Sequence, residues 1–114
     1  MRAKIRFKDK IIEIPDIEKC SGIKKFTGLM FKSRDSNALL FEFDNPCKQA
    51  IHSFFCPDFL ALWLDESGKI VDKQVVTSNK LSIRPQEKFS KLLEVPLNNK
   101  YSPAIQFLLE DKNI

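Results

Sequence analysis

The stretch of sequence that decides the fold runs from Ile51 to Asp72 and reads IHSFFCPDFLALWLDESGKIVD. It predicts a strand over residues 50–56 that ends before Pro57, because proline cannot donate to a strand ladder. A second strand over 59–65 is apolar on both faces, which predicts a central position in a sheet. Asp65-Glu66-Ser67-Gly68 then predicts a hairpin turn with Gly68 in the left-handed region, and residues 69–77 form the return strand.

Working outward toward the amino terminus, apolar and basic residues alternate over positions 3–8. This alternation predicts a half-buried strand with a basic outer face. Asp9-Lys10 is a plausible turn into a second short strand over 11–14, which Pro15 ends.

The remaining segments carry weaker patterns. Apolar residues at helical spacing predict a short helix over 23–31, and strands are predicted over 38–44 and 91–95. Residues 104–110 fit either a helix, with Ser102-Pro103 at its start, or a strand. We therefore expect a mostly β (α+β) fold: a small antiparallel β-barrel or strongly curved sheet of about six to eight strands with one short helix.

Composition indicates one domain over residues 1–114 with a real core, since 43% of residues are hydrophobic and ten are Phe. Three glycines leave little room for a glycine-rich phosphate loop. Three cysteines without a CxxC spacing favour reduced thiols and a cytoplasmic location. Neither a secretory leader nor a membrane-spanning apolar run is expected.

Four sequence elements together resemble the DUF192 family, also called UPF0127. They are Gly28-Leu29-Met30-Phe31-Lys32, the strand at 38–43, the block at 51–71, and Leu92-Leu93-Glu94-Val95-Pro96. Their order and spacing look like those of the family's shorter archaeal members.

The resemblance implies a small, mostly β, barrel-like fold, and it implies no reaction because the family's activity is not established. Two departures from the family pattern stand out. Many bacterial members carry Trp-Met-Lys-Asn-Thr where this chain has residues 51–55, and a Gly-Asp turn is replaced here by residues 101–104.

An aromatic-walled concavity with one titratable group is our leading expectation for a binding site. The residues expected to line it are Met30, Phe31, His52, Phe54 and Trp63. The corresponding function is a small binding or interaction domain for a small-molecule or protein ligand, with no assignable catalytic activity and no cofactor.

A basic face on the first strand supports an alternative, a nucleic-acid-associated accessory domain. An excess of Lys and Arg over Asp and Glu, 19 against 15, is compatible with weak attraction to anions. Phe26 or Trp63 would act as a stacking partner. The expected anion or nucleic-acid patch comprises Arg2, Lys4, Arg6 and Lys8.

A cysteine hydrolase is the third possibility. A thiol nucleophile needs a nearby base, and His52 with Cys56 is the obvious pair. On a strand, however, four residues span about 13 Å, so the pair would not touch. The hydrolase would need Cys20 or Cys47 beside His52, and no catalytic residue is assigned. One His and three scattered Cys also predict no metal site.

Two carboxylates form a possible acidic site, Asp65 in the hairpin and Glu94 in the last strand. The simpler interpretation of Asp65 is that it caps the turn. Glu94 lies among apolar neighbours, on the face of its predicted strand opposite Leu93 and Val95. If it is buried it needs a partner, for which Lys32 or Arg34 are candidates.

Overall fold

The computed structural model describes residues 1–21 and 28–110, and in this part of the chain it contains seven strands and one α-helix. The strands are β1 (Ala3–Phe7), β2 (Lys10–Ile14), β3 (Ile17–Cys20), β4 (Ala38–Cys47), β5 (Phe59–Leu64), β6 (Ile70–Val76) and β7 (Phe89–Pro96). A 3-10 turn (Asn99–Tyr101) leads into the helix α1 (Ser102–Glu110).

The described strands form two sheets. β1 and β2 make an antiparallel hairpin, and the larger sheet has the order β3-β4-β7-β5-β6. The mostly β class and the strand count agree with the sequence, whereas closure into a barrel is not confirmed because this order ends in β3 and β6. The expectation of a purely antiparallel sheet is wrong for β3, which pairs parallel to β4. Residues 21–37 supply the long connection that a parallel pair requires.

The larger sheet is buried on both faces, and β5 shows this most clearly because all six of its residues are buried. Leu60, Leu62 and Leu64 join a core cluster shared with β1, β2 and α1. The alternate residues Phe59, Ala61 and Trp63 join a second cluster, which includes Leu29 and Cys56 from the loops of the opposite face. The central position predicted for this strand is confirmed in the sense that β5 is an interior strand, between β7 and the edge strand β6.

The hairpin between β5 and β6 has the predicted turn chemistry. One Asp65 carboxylate oxygen accepts hydrogen bonds from the backbone N–H groups of Ser67 and Lys69, at 2.9 and 3.0 Å. Gly68 is left-handed, with φ of 89°, and a Cβ there would stand 3.1 Å from the carbonyl oxygen of Lys4. The N–H of Arg6 donates to the carbonyl of Gly68 at 2.8 Å, so the turn also holds β1 in place.

Two sequence predictions of secondary structure are corrected. Residues 50–56 are not a strand: apart from a bridge between Ile51 and Ile83, they form an irregular loop. Of the helix predicted over 23–31, residues 28–31 form a turn and residues 23–27 lie outside the described residues. The ambiguous segment at 104–110 is helical. No helix among the described residues is long and apolar enough to cross a membrane.

Tyr101 fixes the carboxy-terminal turn to the beginning of the larger sheet. Its buried hydroxyl donates to the carbonyl of Asp16 and accepts from the N–H of Ala38, each at 2.8 Å. The two contacts join three segments that are far apart in sequence. Ala38 is fully buried, so its N–H depends on this phenol for a partner.

We expect Tyr101→Phe to lower the free energy of unfolding by about 1–3 kcal/mol, because it leaves the buried Ala38 N–H without an acceptor. Urea unfolding at neutral pH measures the loss. Lys88→Gln, at an exposed position away from this junction, is the control and should change stability by less than about 0.5 kcal/mol. Equal stability of Tyr101→Phe and the wild type would show that the hydroxyl contacts do not fix this junction.

Candidate binding site

The site begins at the tight turn over residues 28–31. Gly28 is left-handed, with φ of 48°, and the N–H of Lys32 donates to the carbonyl of Leu29 at 2.9 Å to close the turn. Leu29 points into the core and is fully buried, whereas Phe31 is 77% exposed. Phe31 also has a left-handed backbone, with φ of 61°. A bulky side chain in this region costs about 1–2 kcal/mol, so the turn is built against local preference.

The facing loop repeats this arrangement. Phe55 is 63% exposed and has φ of 57°. Its N–H donates to the side-chain oxygen of Asn79 at 3.1 Å, and Asn79 is itself left-handed, with φ of 63°. The backbone of the loop at Phe55 is therefore fixed by its hydrogen bond to Asn79.

Ser53 is the buried polar anchor of this loop. Its hydroxyl donates to the carbonyl of Thr77 at 2.7 Å and accepts from the N–H of Lys80 at 2.8 Å. Its carbonyl accepts from the N–H of Asn79 at 2.8 Å. Such side-chain bonds offer the backbone an alternative to a strand ladder, which explains why residues 50–56 do not form the predicted strand.

The two phenylalanines meet at the surface as a stacked pair. Their ring centroids are 5.1 Å apart and the ring planes differ by 14°. The N–H of Phe31 donates to the carbonyl of Phe55 at 2.8 Å, so the two loops are joined directly below the rings. We call Phe31 and Phe55 the aromatic platform. A large exposed apolar surface built on strained backbone is typical of an interaction site.

Of the five residues predicted to line a ligand site, four lie in the two loops and the fifth, Trp63, lies in the core. Met30 and Phe31 lie in the first loop, and His52 and Phe54 lie in the facing loop, with their rings 5.7 Å apart. The N–H of Phe54 donates to Nδ1 of His52 at 3.2 Å. Trp63 is fully buried in the cluster that both loops cover, so it lines no open surface. Among the described residues, its indole N–H has no hydrogen-bond partner.

Glu94 lies beneath the first loop and is only 5% exposed. It points to the face opposite Leu93 and Val95, between its cross-strand neighbours Leu39 and Ala61. A Cβ on Gly28 would stand 3.0 Å from Glu94 Oε1, and this tight contact together with the left-handed backbone favours glycine at this position.

Burial raises the pKa of Glu94 to about 8, and the hydrogen bond from the Leu29 N–H opposes this rise only in part. Within the described residues Glu94 makes no ion pair, so the expected pairing with Lys32 or Arg34 is not found. Arg34 instead donates to the carbonyl of Leu97 at 3.3 Å. A protonated carboxyl at neutral pH explains how the group is buried without an ion pair to any of the described residues.

The possible acidic site of Asp65 and Glu94 is not assembled. Glu94 pairs with Ala61, four residues before Asp65, which corresponds to about 13 Å along the strand. Burial works against ionisation of Asp65, but hydrogen bonds from Ser67 and Lys69 and the nearby Arg6 charge outweigh it and lower the pKa. The two carboxyls therefore differ in environment and in role.

The Cys56–His52 pair has no nucleophilic arrangement. The thiol of Cys56 donates to the carbonyl of Phe54 at 3.4 Å, and its pKa is raised to about 11, first by burial and then by the charge that Glu94 carries once it has ionised at higher pH. A thiol of this kind is a poor nucleophile at neutral pH. The three cysteines form no disulfide, and the described residues contain no cluster of His, Cys, Asp and Glu that could hold a metal ion.

The predicted basic patch is exposed along β1 but is partly neutralised. Arg2 forms an ion pair with Glu13 at 2.9 Å, and Arg6 donates to the hydroxyl of Ser67 at 2.6 Å. Lys4 faces Glu13 across the hairpin. The fourth residue, Lys8, lies just beyond the strand, with φ of 57°.

Sequence reasoning missed Phe55 and Asn79. Phe54 and Phe55 are consecutive, and successive side chains of a strand point to opposite faces. This pattern could have predicted that one of the two phenylalanines is exposed. Ser78-Asn79 is a turn-forming pair, and asparagine tolerates the left-handed region. No sequence signal indicated that the two turns would meet through a stacked pair.

Comparison with known proteins informs the fold. No family model matches the chain, and no curated protein matches it. A solved protein from Sinorhizobium meliloti 1021, provisionally described as a transcription regulator, superposes with a TM-score of 0.72 at 15% identity, covering 90% of this chain and 84% of that one. A protein of unknown function from Novosphingobium aromaticivorans DSM 12444 gives 0.68 at 11% identity, covering 90% and 75%. At these identities the likeness shows the fold alone.

The pH dependence of stability should report the burial of Glu94. Between its unfolded pKa of 4.5 and its folded pKa of about 8, the folded protein holds the proton and the unfolded chain releases it. This stabilisation is complete below pH 4.5 and is lost as pH rises through 8. We expect the free energy of unfolding to fall by on the order of 3 kcal/mol between pH 5 and pH 8. Urea unfolding across this range measures it.

Glu94→Gln should remove most of that fall, whereas Glu87→Gln, at an exposed position, should retain it. Parallel pH profiles for the wild type and Glu94→Gln would mean that Glu94 does not carry the effect.

Cysteine alkylation tests the state of Cys56. We expect iodoacetamide at pH 7.5 to label the half-exposed Cys47 at least about tenfold faster than Cys56, because the latter is buried and stays protonated. Peptide mapping by mass spectrometry gives the rates, and labelling in urea provides the unfolded reference. If Cys56 in the folded protein reacted faster than Cys47, its thiol would be activated, and this result would support the cysteine-hydrolase hypothesis.

Proposed function

We propose that this protein is a small recognition domain without catalytic activity of its own, which binds a flat ring of a small molecule or of a partner's side chain on the aromatic platform. The observation that carries the proposal is the stacked Phe31–Phe55 pair, 77% and 63% exposed, on two left-handed residues joined by a backbone hydrogen bond. The outer face of a stacked pair offers a further ring the same offset contact that the two phenylalanines make with each other.

The buried groups beneath the platform support this proposal. The protonated Glu94 carboxyl lies directly under Gly28, and Ser53 anchors the loop that carries Phe55. These contacts fix the two loops before any ligand arrives. A ring-binding surface that is already ordered loses less conformational entropy on binding.

The nucleic-acid alternative has less support from the geometry. β1 packs on the face of the larger sheet that also carries α1, whereas Leu29 and Cys56 anchor the two platform loops to the opposite face. A nucleic acid on the basic strand would therefore find no stacking partner there in Trp63, which is buried. Phe26, the other candidate, lies outside the described residues.

Membership of DUF192 is part of this proposal. It rests on the four sequence elements at 28–32, 38–43, 51–71 and 92–96, of which the first and third form the platform. The barrel-like closure that the resemblance implies stays a proposal with it.

An NMR titration tests the platform directly. N-acetyltryptophanamide and adenosine are the two ring probes, and glucose is the non-planar control. We expect at least one ring probe to shift the Phe31 and Phe55 ring signals saturably, with affinity in the millimolar range for so small a ligand. Phe31→Ala and Phe55→Ala should each abolish the shifts.

Leu81→Ala is the matched control, since Leu81 is 78% exposed and apolar but lies outside the stacked pair. Ring binding that survives both phenylalanine substitutions, or its absence for both probes, would contradict the proposal.

The strain on the platform gives a separate prediction. Phe31→Asn places a residue that tolerates the left-handed region at φ of 61°, so we expect it to retain stability within about 1 kcal/mol while losing ring binding. Thermal unfolding and the same titration give the two readings. A loss of stability above about 2 kcal/mol would instead identify Phe31 as a structural residue.

A further inference from the structure

The outer edge of β2 carries backbone groups that point away from its own hairpin. The N–H of Arg6 donates to the carbonyl of Gly68 at 2.8 Å, on the side of β1 that faces away from β2. Arg6 and its partner Ile11 are therefore a non-hydrogen-bonded pair, so the N–H and C=O of Ile11 point to the outer side of β2. Those of Glu13, two residues along the strand, point the same way. Within the residues that the structure describes, these groups have no hydrogen-bond partner.

The side chains along this edge leave room for another strand. Ile11 is 68% exposed. Lys10, of the residue type that often protects an edge, places its ammonium group 5.2 Å from the ring centroid of Phe107, over α1. A groove of about 350 Å³ runs between β2 and α1, and Ile12, Ala104 and Phe107 are among the residues that line it. An exposed strand edge beside an apolar groove is a surface on which an extended segment can add as a further strand.

A second copy of β2 fits this edge in one antiparallel register. With Ile12 opposite Ile12 of the second copy, each Ile11 lies opposite a Glu13, and each such pair exchanges both backbone hydrogen bonds. A shift toward the carboxy terminus would place Glu13 opposite Glu13 of the second copy, and Pro15, which has no N–H, opposite Ile11. A shift toward the amino terminus would place Glu13 opposite Asp9 in the hairpin turn. Both shifts therefore bring carboxylates face to face, and the central register does not.

The central register also suits the side chains. The two Ile12 side chains would meet at the two-fold axis, on the face that α1 covers and beside the groove. On the other face, Ile11 of one copy would pack on the stem of Glu13 of the second copy. The Glu13 carboxylate keeps its ion pair with Arg2, at 2.9 Å, and its cross-strand neighbour Lys4. Charge and apolar contact therefore both favour a second copy as the occupant of this edge.

We propose that β2 is a self-association surface, on which a second copy of this chain adds antiparallel about a two-fold axis at Ile12 and joins the two β1–β2 hairpins into one continuous sheet. The paired strands are short, so the dimer is weak and forms only at high protein concentration. Pairing about a two-fold axis closes the contact, so association ends at the dimer. This surface is separate from the aromatic platform, and the two proposals stand or fall independently.

Sedimentation of the purified chain, from about 10 µM to about 1 mM, tests the association. We expect the average mass to rise from that of one chain toward that of two. Ile11→Glu places a carboxylate opposite Glu13 of the second copy and should weaken the dimer at least about tenfold. Ile11→Lys places an ammonium group there and should retain the dimer affinity within about threefold. Leu81→Glu, at an exposed apolar position away from β2, is the matched control and should leave the affinity unchanged.

Stability of the monomer separates weaker association from a damaged fold. Within its own hairpin, Ile11 lies opposite Arg6. Ile11→Glu therefore suits the monomer and opposes the dimer, whereas Ile11→Lys has the reverse effect. Thermal unfolding at low protein concentration should show that Ile11→Glu is at least as stable as Ile11→Lys.

Contacts between α-protons test the register. In a mixture of isotope-labelled and unlabelled protein, we expect an intermolecular NOE between the α-protons of Ile12 in the two copies. Residues opposite each other in a non-hydrogen-bonded antiparallel pair have the closest backbones. An intermolecular NOE from Ile12 to Lys10 or to Ile14 would instead show a shifted register and contradict the proposed pairing.

Three sedimentation results would overturn the proposal. A mass of one chain at about 1 mM would leave the edge to an extended segment of another protein. Equal weakening by Ile11→Glu and Leu81→Glu would show that the contact does not lie at β2. A dimer that Phe31→Ala abolishes and Ile11→Glu does not would place the contact at the aromatic platform.

Discussion

Burial of β5 on both faces is the constraint on which the rest of this structure depends. Six consecutive buried residues contribute alternately to two clusters, so the protein must supply a cover for each face of the sheet. The β1–β2 hairpin and α1 cover one face. The other face is covered by the loops that carry Leu29 and Cys56. Loops that cover a sheet have backbone N–H and C=O groups out of reach of water, so these groups need hydrogen-bond partners within the protein. The hydroxyl of Ser53 and the side chain of Asn79 meet that requirement.

The two different covers account for the placement of the aromatic platform. The loop-covered face carries the aromatic platform, because tight turns with buried anchors leave neighbouring side chains directed outward. Glu94 belongs to this face, where its buried carboxyl lies close to the left-handed Gly28.

Sequence patterns predicted the features that depend on local chemistry. Six apolar residues in a row identified the central strand, and Asp65 with Gly68 identified the turn. The face occupied by Glu94 followed from simple alternation. The patterns failed where tertiary contacts override local preference. Ser53 bonds to residues 24 and 27 positions away, which no window around it reveals. The parallel pairing of β3 likewise depends on a partner across a long connection.

The order of strands in the larger sheet has a consequence for how the chain is made. β7, the last strand in sequence among those described, lies between β4 and β5, near the middle of the sheet. Until residue 96 has left the ribosome, the edges of β4 and β5 that pair with β7 have no partner. Neither core cluster is then complete, because β7 contributes residues to both. The hydrogen bond from the Tyr101 hydroxyl to the Asp16 carbonyl forms later still, because it joins residues that are 85 positions apart. A domain of this topology completes its larger sheet only after β7 is available, and until then its chain exposes two strand edges of the kind that chaperones protect.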